Sequence, residues 1–298
     1  MAAAIPTSGD GQESGVAVKV RQAADIGRSG GQLMLREQAP VFLGDVIKTG
    51  PVGEAQIRLS DDTRLVVGPN SLMTIDRYVL ASNNTADQVT LNTFRGAFRF
   101  IGGDNRVDAY TINTPTATIG LRGTQLDWSV GDWGTALAVF GDGVADFCDR
   151  DRRNVCERTV TDCEVTVRLP TTNIQRIAEG PEHVEALVSL FPFVVDQRQL
   201  GFEFQVDIDD CDIPDAAIRE ARRSRLPMRP PQDAFDRNVE AQQAAAPPPP
   251  LPPAPPPPEP PPPEPPPPEE GKNNNGFGNG GEGAEGPDET GNPGGGRR

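Results

Sequence analysis

The sequence is poor in the residues that most often carry catalysis. It holds one histidine, His183, four cysteines, two tryptophans and two tyrosines in 298 residues. His183 has no catalytic partner in view and reads as a helix-surface residue, and no serine lies in a G-x-S-x-G elbow. The cysteines form no C-x-x-C pair, so a zinc ribbon or thioredoxin-like centre lacks its ligand spacing. Nowhere do about 18 apolar residues run together, the length a membrane-spanning helix needs. The start, Met1 to Pro6, shows neither the basic nor the apolar region of a signal peptide. Positive charge is also scarce: 28 Lys and Arg stand against 43 Asp and Glu, a net charge of −15. Such a chain repels phosphate backbones and anionic membrane surfaces, so nucleic acid is not an expected partner.

Proline and glycine are abundant, at 32 each. Most of the excess follows Ala246, and residues 247–270 are proline punctuated by glutamate. That composition suits an extended polyproline II spacer. Residues 271–298 are Gly, Asn and acidic residues and read as flexible. The expected division is a loose arm over 1–15, an all-β domain over 16–169, a mixed extension over 170–243 and a disordered tail over 244–298.

The all-β expectation rests on a period of two. In Glu54–Leu59 apolar residues alternate with charged or amide ones, the pattern of a half-buried strand. A Ser60–Thr63 turn and a second arm, Arg64–Val67, complete a hairpin. Further strand candidates are Val16–Arg21, Val41–Lys48, Ser71–Leu80, Gln88–Phe94, Ala97–Ile101, Ala109–Asn113, Thr116–Leu121, Gln125–Val130, Thr135–Phe140 and Val144–Cys148. Turns rich in Gly, Asn, Asp or Pro separate them. Many short antiparallel strands without a helical stripe between them predict a twisted β-roll or sandwich. In the extension, Glu182–Leu190 and Asp215–Arg223 read as helices and Phe191–Val195 and Phe202–Val206 as strands.

Four cysteines allow three pairings. The polar run Asp149–Asn154 between strand-like segments favours a hairpin closed by Cys148–Cys156, which leaves Cys163–Cys211. Disulfides imply an oxidising compartment, periplasmic or extracellular; four reduced thiols are the alternative. Other constellations carry less. Asp61-Asp62 sits in a turn, and Asp207–Asp212 lacks the glycine and terminal glutamate of an EF-hand. Trp128 and Trp133 read as packing residues. No motif asks for a cofactor or a metal.

Three segments are similar to the FecR domain, a family that includes periplasmic regulators of iron-siderophore signalling and many exported proteins of unknown role. Val52–Ser71 resembles the family's hairpin ending in "l-x-G-p-n-S", through Gly68, Asn70 and Ser71. Leu91–Arg99 resembles its "l-x-x-G-x-l/f-r" strand, with Gly96 at the glycine. Thr114–Thr124 resembles "T-P-x-a-x-v-g-v-R-G-T", placing Thr114, Pro115, Arg122, Gly123 and Thr124. Gly123 is expected to supply a backbone conformation that a Cβ resists. An inward Arg122 would need an acidic partner or carbonyls. Signalling members also carry an anti-sigma segment and a transmembrane helix, and neither is visible here. The resemblance therefore implies a non-enzymatic, exported binding or scaffolding module with a protein or cell-envelope partner and no membrane span of its own. A periplasmic sensor acting with a separate membrane partner is the alternative, and a carbohydrate-active enzyme ranks third.

Overall fold

The computed structural model describes residues 11–224, apart from 29–30, 82–84, 104–108, 124, 142 and 161. The arm before Gly11, the last part of the extension after Ser224, the tail and Thr124 lie outside the described residues. The first strands are β1 (Glu13–Arg21), β2 (Ala24–Arg28), β3 (Gly31–Met34), β4 (Pro40–Phe42), β5 (Val46–Thr49) and β6 (Glu54–Leu59). There follow β7 (Arg64–Val67), β8 (Leu72–Leu80), β9 (Ala86–Ile101), β10 (Tyr110–Asn113), β11 (Ala117–Arg122) and β12 (Gln125–Gly131). The last are β13 (Gly134–Phe140), β14 (Val144–Asp149), β15 (Cys156–Thr159), β16 (Val165–Arg168) and β17 (Ile174–Ile177).

These 17 strands form one open hydrogen-bonded network in two layers that share β9. The inner layer runs β4-β1-β6-β7-β9-β12-β13-β16-β17. The outer layer runs β3-β2-β5-β8-β9-β10-β11-β14-β15. All pairs are antiparallel save β9–β10. That exception follows from the path of β9, which finishes in the inner layer at Ile101 while the chain rejoins the outer layer beside Val89, at Tyr110. Between the layers lies the main core, with Ile57, Phe98, Phe100 and Trp128 from one side and Ile75, Leu91, Ile112 and Phe147 from the other.

The sequence pattern reads Gln88–Phe94 and Ala97–Ile101 as two strands; the structure makes them one, creased at Gly96. There φ is +109°, and a Cβ would lie 2.0 Å from Ser71 Oγ. Only glycine allows both the bend and that approach.

A helical cap covers the far face of the inner layer. It comprises α1 (Pro181–Leu190), α2 (Pro192–Val195), 3₁₀ turns at Phe202–Phe204 and Asp209–Cys211, and α3 (Asp215–Ser224). Pro181 opens α1 in its first turn with Glu182 beside it, where a fixed φ and a negative charge both suit a helix N-terminus. Ala186, Leu187 and Leu190 then share one face and pack on Ala136, Ala138 and Phe140. Phe193, Leu200 and Phe204 cover Val66 and Ala97.

The cap explains the departures from the sequence reading. Every residue of β13 is buried, because its alternate side chains enter two different cores. Glu54 and Gln56 are buried instead of solvated: Gln56 donates to Glu54 at 2.9 Å and accepts from the Gly201 amide at 2.8 Å. Phe191–Val195 is not a strand, since Pro192 starts a helical turn there, and Phe202–Phe204 is a 3₁₀ turn. His183 lies buried between cap and sheet, its Nε2 donating to the Cys163 carbonyl at 2.7 Å. Two disulfides are present, Cys148–Cys156 and Cys163–Cys211. The second ties the cap covalently to the loop before β16. Among the described residues no helix is long and apolar enough to cross a membrane.

Candidate functional site

Gly68, Asn70, Ser71 and Gly96 meet at the crease of β9. Ser71 Oγ lies 3.2 Å from the Ala97 carbonyl oxygen and accepts from the Ala97 amide at 3.1 Å. Thr49 Oγ1 donates to the Gly68 carbonyl and accepts from the Ser71 amide at 2.9 Å. Asn70 holds a left-handed φ of 53°, and its amide donates to Gly50. Gly68 leaves room for Phe193 of the cap: a Cβ there would lie 2.7 Å from the ring. The hydroxyls of this motif are spent on backbone groups that a creased strand would otherwise leave unpaired.

Thr114 and Pro115 form the turn between β10 and β11, with Thr114 buried and Pro115 exposed. Thr114 Oγ1 accepts from the Ala117 amide at 2.8 Å and lies 2.8 Å from Thr135 Oγ1 on β13, so the turn is pinned to the inner layer. Arg122 is exposed at the end of β11, and its guanidinium lies 3.6 Å from Asp146. Asp146 also takes two hydrogen bonds from Arg158, at 2.7 and 3.2 Å. The Arg158 guanidinium, reinforced by Arg122, holds the Asp146 carboxyl below the usual carboxylate range. Gly123 follows with a φ of +55° and open space around it.

Three polar clusters escaped the sequence reading. Arg99 and Asp127 form a bidentate ion pair under the cap, at 2.6 and 2.8 Å. Gln197 joins Arg99, and itself bonds the Val206 backbone twice, at 2.9 Å each. Arg99 was visible as the arginine closing the second motif, but its partner lies 28 residues on. The second is Asp61, which is buried and accepts from Tyr110 at 2.5 Å and from Tyr78 at 3.2 Å. A turn carboxylate of the inner layer thus bridges to two strands of the outer one. Burial, then the Asp61 charge, pushes both phenols well above their ordinary value. The third is Asp149. Burial opposes its ionisation, yet hydrogen bonds from Arg152 and Arg168 outweigh that and hold the carboxyl well below the usual range.

The outer layer's outer face is polar and uncovered among the described residues. One register row runs Thr74, Asn92, Asn113, Thr118, Cys148, Cys156. The next runs Arg77, Thr90, Thr111, Gly120, Asp146, Arg158. All are half-buried or exposed. Within the first row Asn113 donates to Asn92 at 3.1 Å and Thr118 to Asn113 at 3.3 Å.

Two shared layers with one face capped and the other open define an all-β domain built as a two-layer open sheet. Residues 45–144, about a third of the chain, match the family model described as FecR protein. Two crystal structures of a protein provisionally assigned as an anti-sigma factor from Parabacteroides distasonis ATCC 8503 are similar at 17% and 18% identity, each with a TM-score of 0.36. Each alignment covers 48% of this chain and 64% of that one, so the chain spans under two thirds of those proteins. A structure described as a cell surface anchoring domain aligns at 27% identity over 21% of this chain and 83% of its own, with a TM-score of 0.20. No curated protein matches.

Proposed function

We propose that this protein is a non-enzymatic binding module of the bacterial envelope, which presents the open face of its FecR domain to a protein or envelope partner. The observation that carries this reading is the unequal treatment of the two faces. The inner layer is sealed by the cap, while the outer layer leaves a broad surface of hydroxyl, amide and ion-paired side chains uncovered among the described residues. The motif residues support it, because Ser71, Thr114 and Arg122 direct their polar groups to the fold itself. The two disulfides support an oxidising compartment, periplasmic or extracellular. A sensor acting with a separate membrane partner is a second reading, favoured by the FecR match.

Site-specific photo-crosslinking in native cells tests the reading. A crosslinker at Thr90 or Thr111 should give one discrete adduct, and one at capped Ala97 none. A module that yields no adduct from the open face, or that is recovered with four free thiols, is not this one.

A further inference from the structure

We propose that a groove in the cap, between the 3₁₀ turn Asp209–Cys211 and the first turn of α3, receives a short polypeptide segment of a partner that sets a lysine or arginine beside an aliphatic side chain. The groove encloses about 410 Å³, the lower end of the range for binding pockets. Ile208, Ile213 and Ile218 line it and are half-buried; Asp209, Asp212 and Asp215 line it and are exposed. Ile208 and Ile213 continue into the apolar cluster of the cap, and Cys211 fixes the turn to Cys163. Asp215 shares its carboxylate with Arg219 at 3.7 Å. Asp209 and Asp212 have no ion pair among the described residues. An apolar floor under unneutralised carboxylates matches a side chain with an apolar stem and a cationic head. A bare metal ion would satisfy the carboxylates and leave the isoleucines exposed. The groove lies outside residues 45–144, so the inference does not rest on the envelope reading.

Amide chemical shifts of the full-length protein, titrated with a blocked alternating arginine–leucine tetrapeptide, test it. The expected shifts concentrate between Ile208 and Ile218. Exposed charge pairs are weak one by one, so the double variant D209N/D212N should bind about five- to tenfold more weakly. A glutamate–leucine tetrapeptide should leave these amides unmoved. Equal shifts with that peptide, no shifts at millimolar arginine–leucine peptide, or larger shifts with Ca²⁺ would overturn the proposal. So would movement of the same amides in the unliganded variant R225E/R229E, which would show the groove filled by the chain's own basic segment.

Discussion

Arg99 on β9 and Asp127 on β12 stand directly opposite each other on the capped face of the inner layer, with side-chain exposures of 0% and 1%. Two parallel hydrogen bonds join them, and the rings of Phe140 and Phe193 lie 5.8 and 5.4 Å from the guanidinium. Burial pushes the Asp127 carboxyl up, and the Arg99 charge opposes it. The pair sits where the sheet meets the cap, which makes it a test of how the cap is held.

Removing one partner should be far worse than removing both. Asp127→Ala leaves a guanidinium buried without its counter-charge, at a cost of about 3–5 kcal/mol. The double variant R99M/D127L fills the same space with apolar groups and should recover most of that loss. Urea unfolding of both proteins checks it; equal destabilisation would mean the charges matter only as volume.

Gly96→Ala tests the crease in β9. The added Cβ meets Ser71 Oγ and Cα at 2.0 and 2.4 Å, at a positive φ. Overpacking of about 1–3 kcal/mol adds to a backbone penalty of about 1 kcal/mol. A loss of unfolding free energy of that size, read from urea unfolding, is expected, and Gly120→Ala, whose Cβ would have only Asp146 at 3.9 Å, should cost much less.

These two positions show what the sequence could and could not reveal. Period-two alternation was legible in β11 and β14, because one face of the outer layer meets solvent and the other a core. It misled in β6, where the cap, more than 120 residues downstream, buries the polar face as well. Phe191–Val195 misled for a different reason: a four- or five-residue apolar run has no period to read, and packing on the sheet decided it. His183 is likewise buried by a helix face whose partner is remote in sequence. Gly68, Asn70, Ser71 and Gly96 could be picked out by motif, yet the convergence on one crease needed the pairing of β8 with β9.

The only tyrosines of the chain, Tyr78 and Tyr110, both bond to Asp61. Their phenols are raised in the folded state, so the folded protein holds those protons more tightly than the unfolded chain. Stability from this source is complete below the unfolded value of about 10 and falls as pH rises above it. Absorbance at 295 nm should therefore show no tyrosinate at pH 10.5 while the protein is folded. Full tyrosinate absorbance should appear together with the loss of near-ultraviolet circular dichroism. Ionisation near pH 10 in the folded state would contradict the buried cluster. Tyr110→Phe should weaken the alkaline fall.

The two disulfides should separate under mild reduction. Cys156 is exposed on an outer edge hairpin, whereas Cys163 and Cys211, which join the cap to the loop before β16, are 3% and 4% exposed. Thiol exchange needs access to sulfur, so limiting dithiothreitol followed by alkylation should label Cys148 and Cys156 first. The stability effects should run the other way. Loop closure over a separation of 48 residues is worth about 4 kcal/mol, and over 8 residues about 2.5 kcal/mol. Replacing Cys163 and Cys211 by serine should therefore lower the unfolding midpoint more than replacing Cys148 and Cys156. It should also raise amide exchange selectively in the Asp209–Cys211 turn, which that bond ties to the loop before β16, and in α1, whose His183 bonds the Cys163 carbonyl of the same loop. Uniform exchange across β11 and β14 instead would show that the cap is held by its apolar contacts alone.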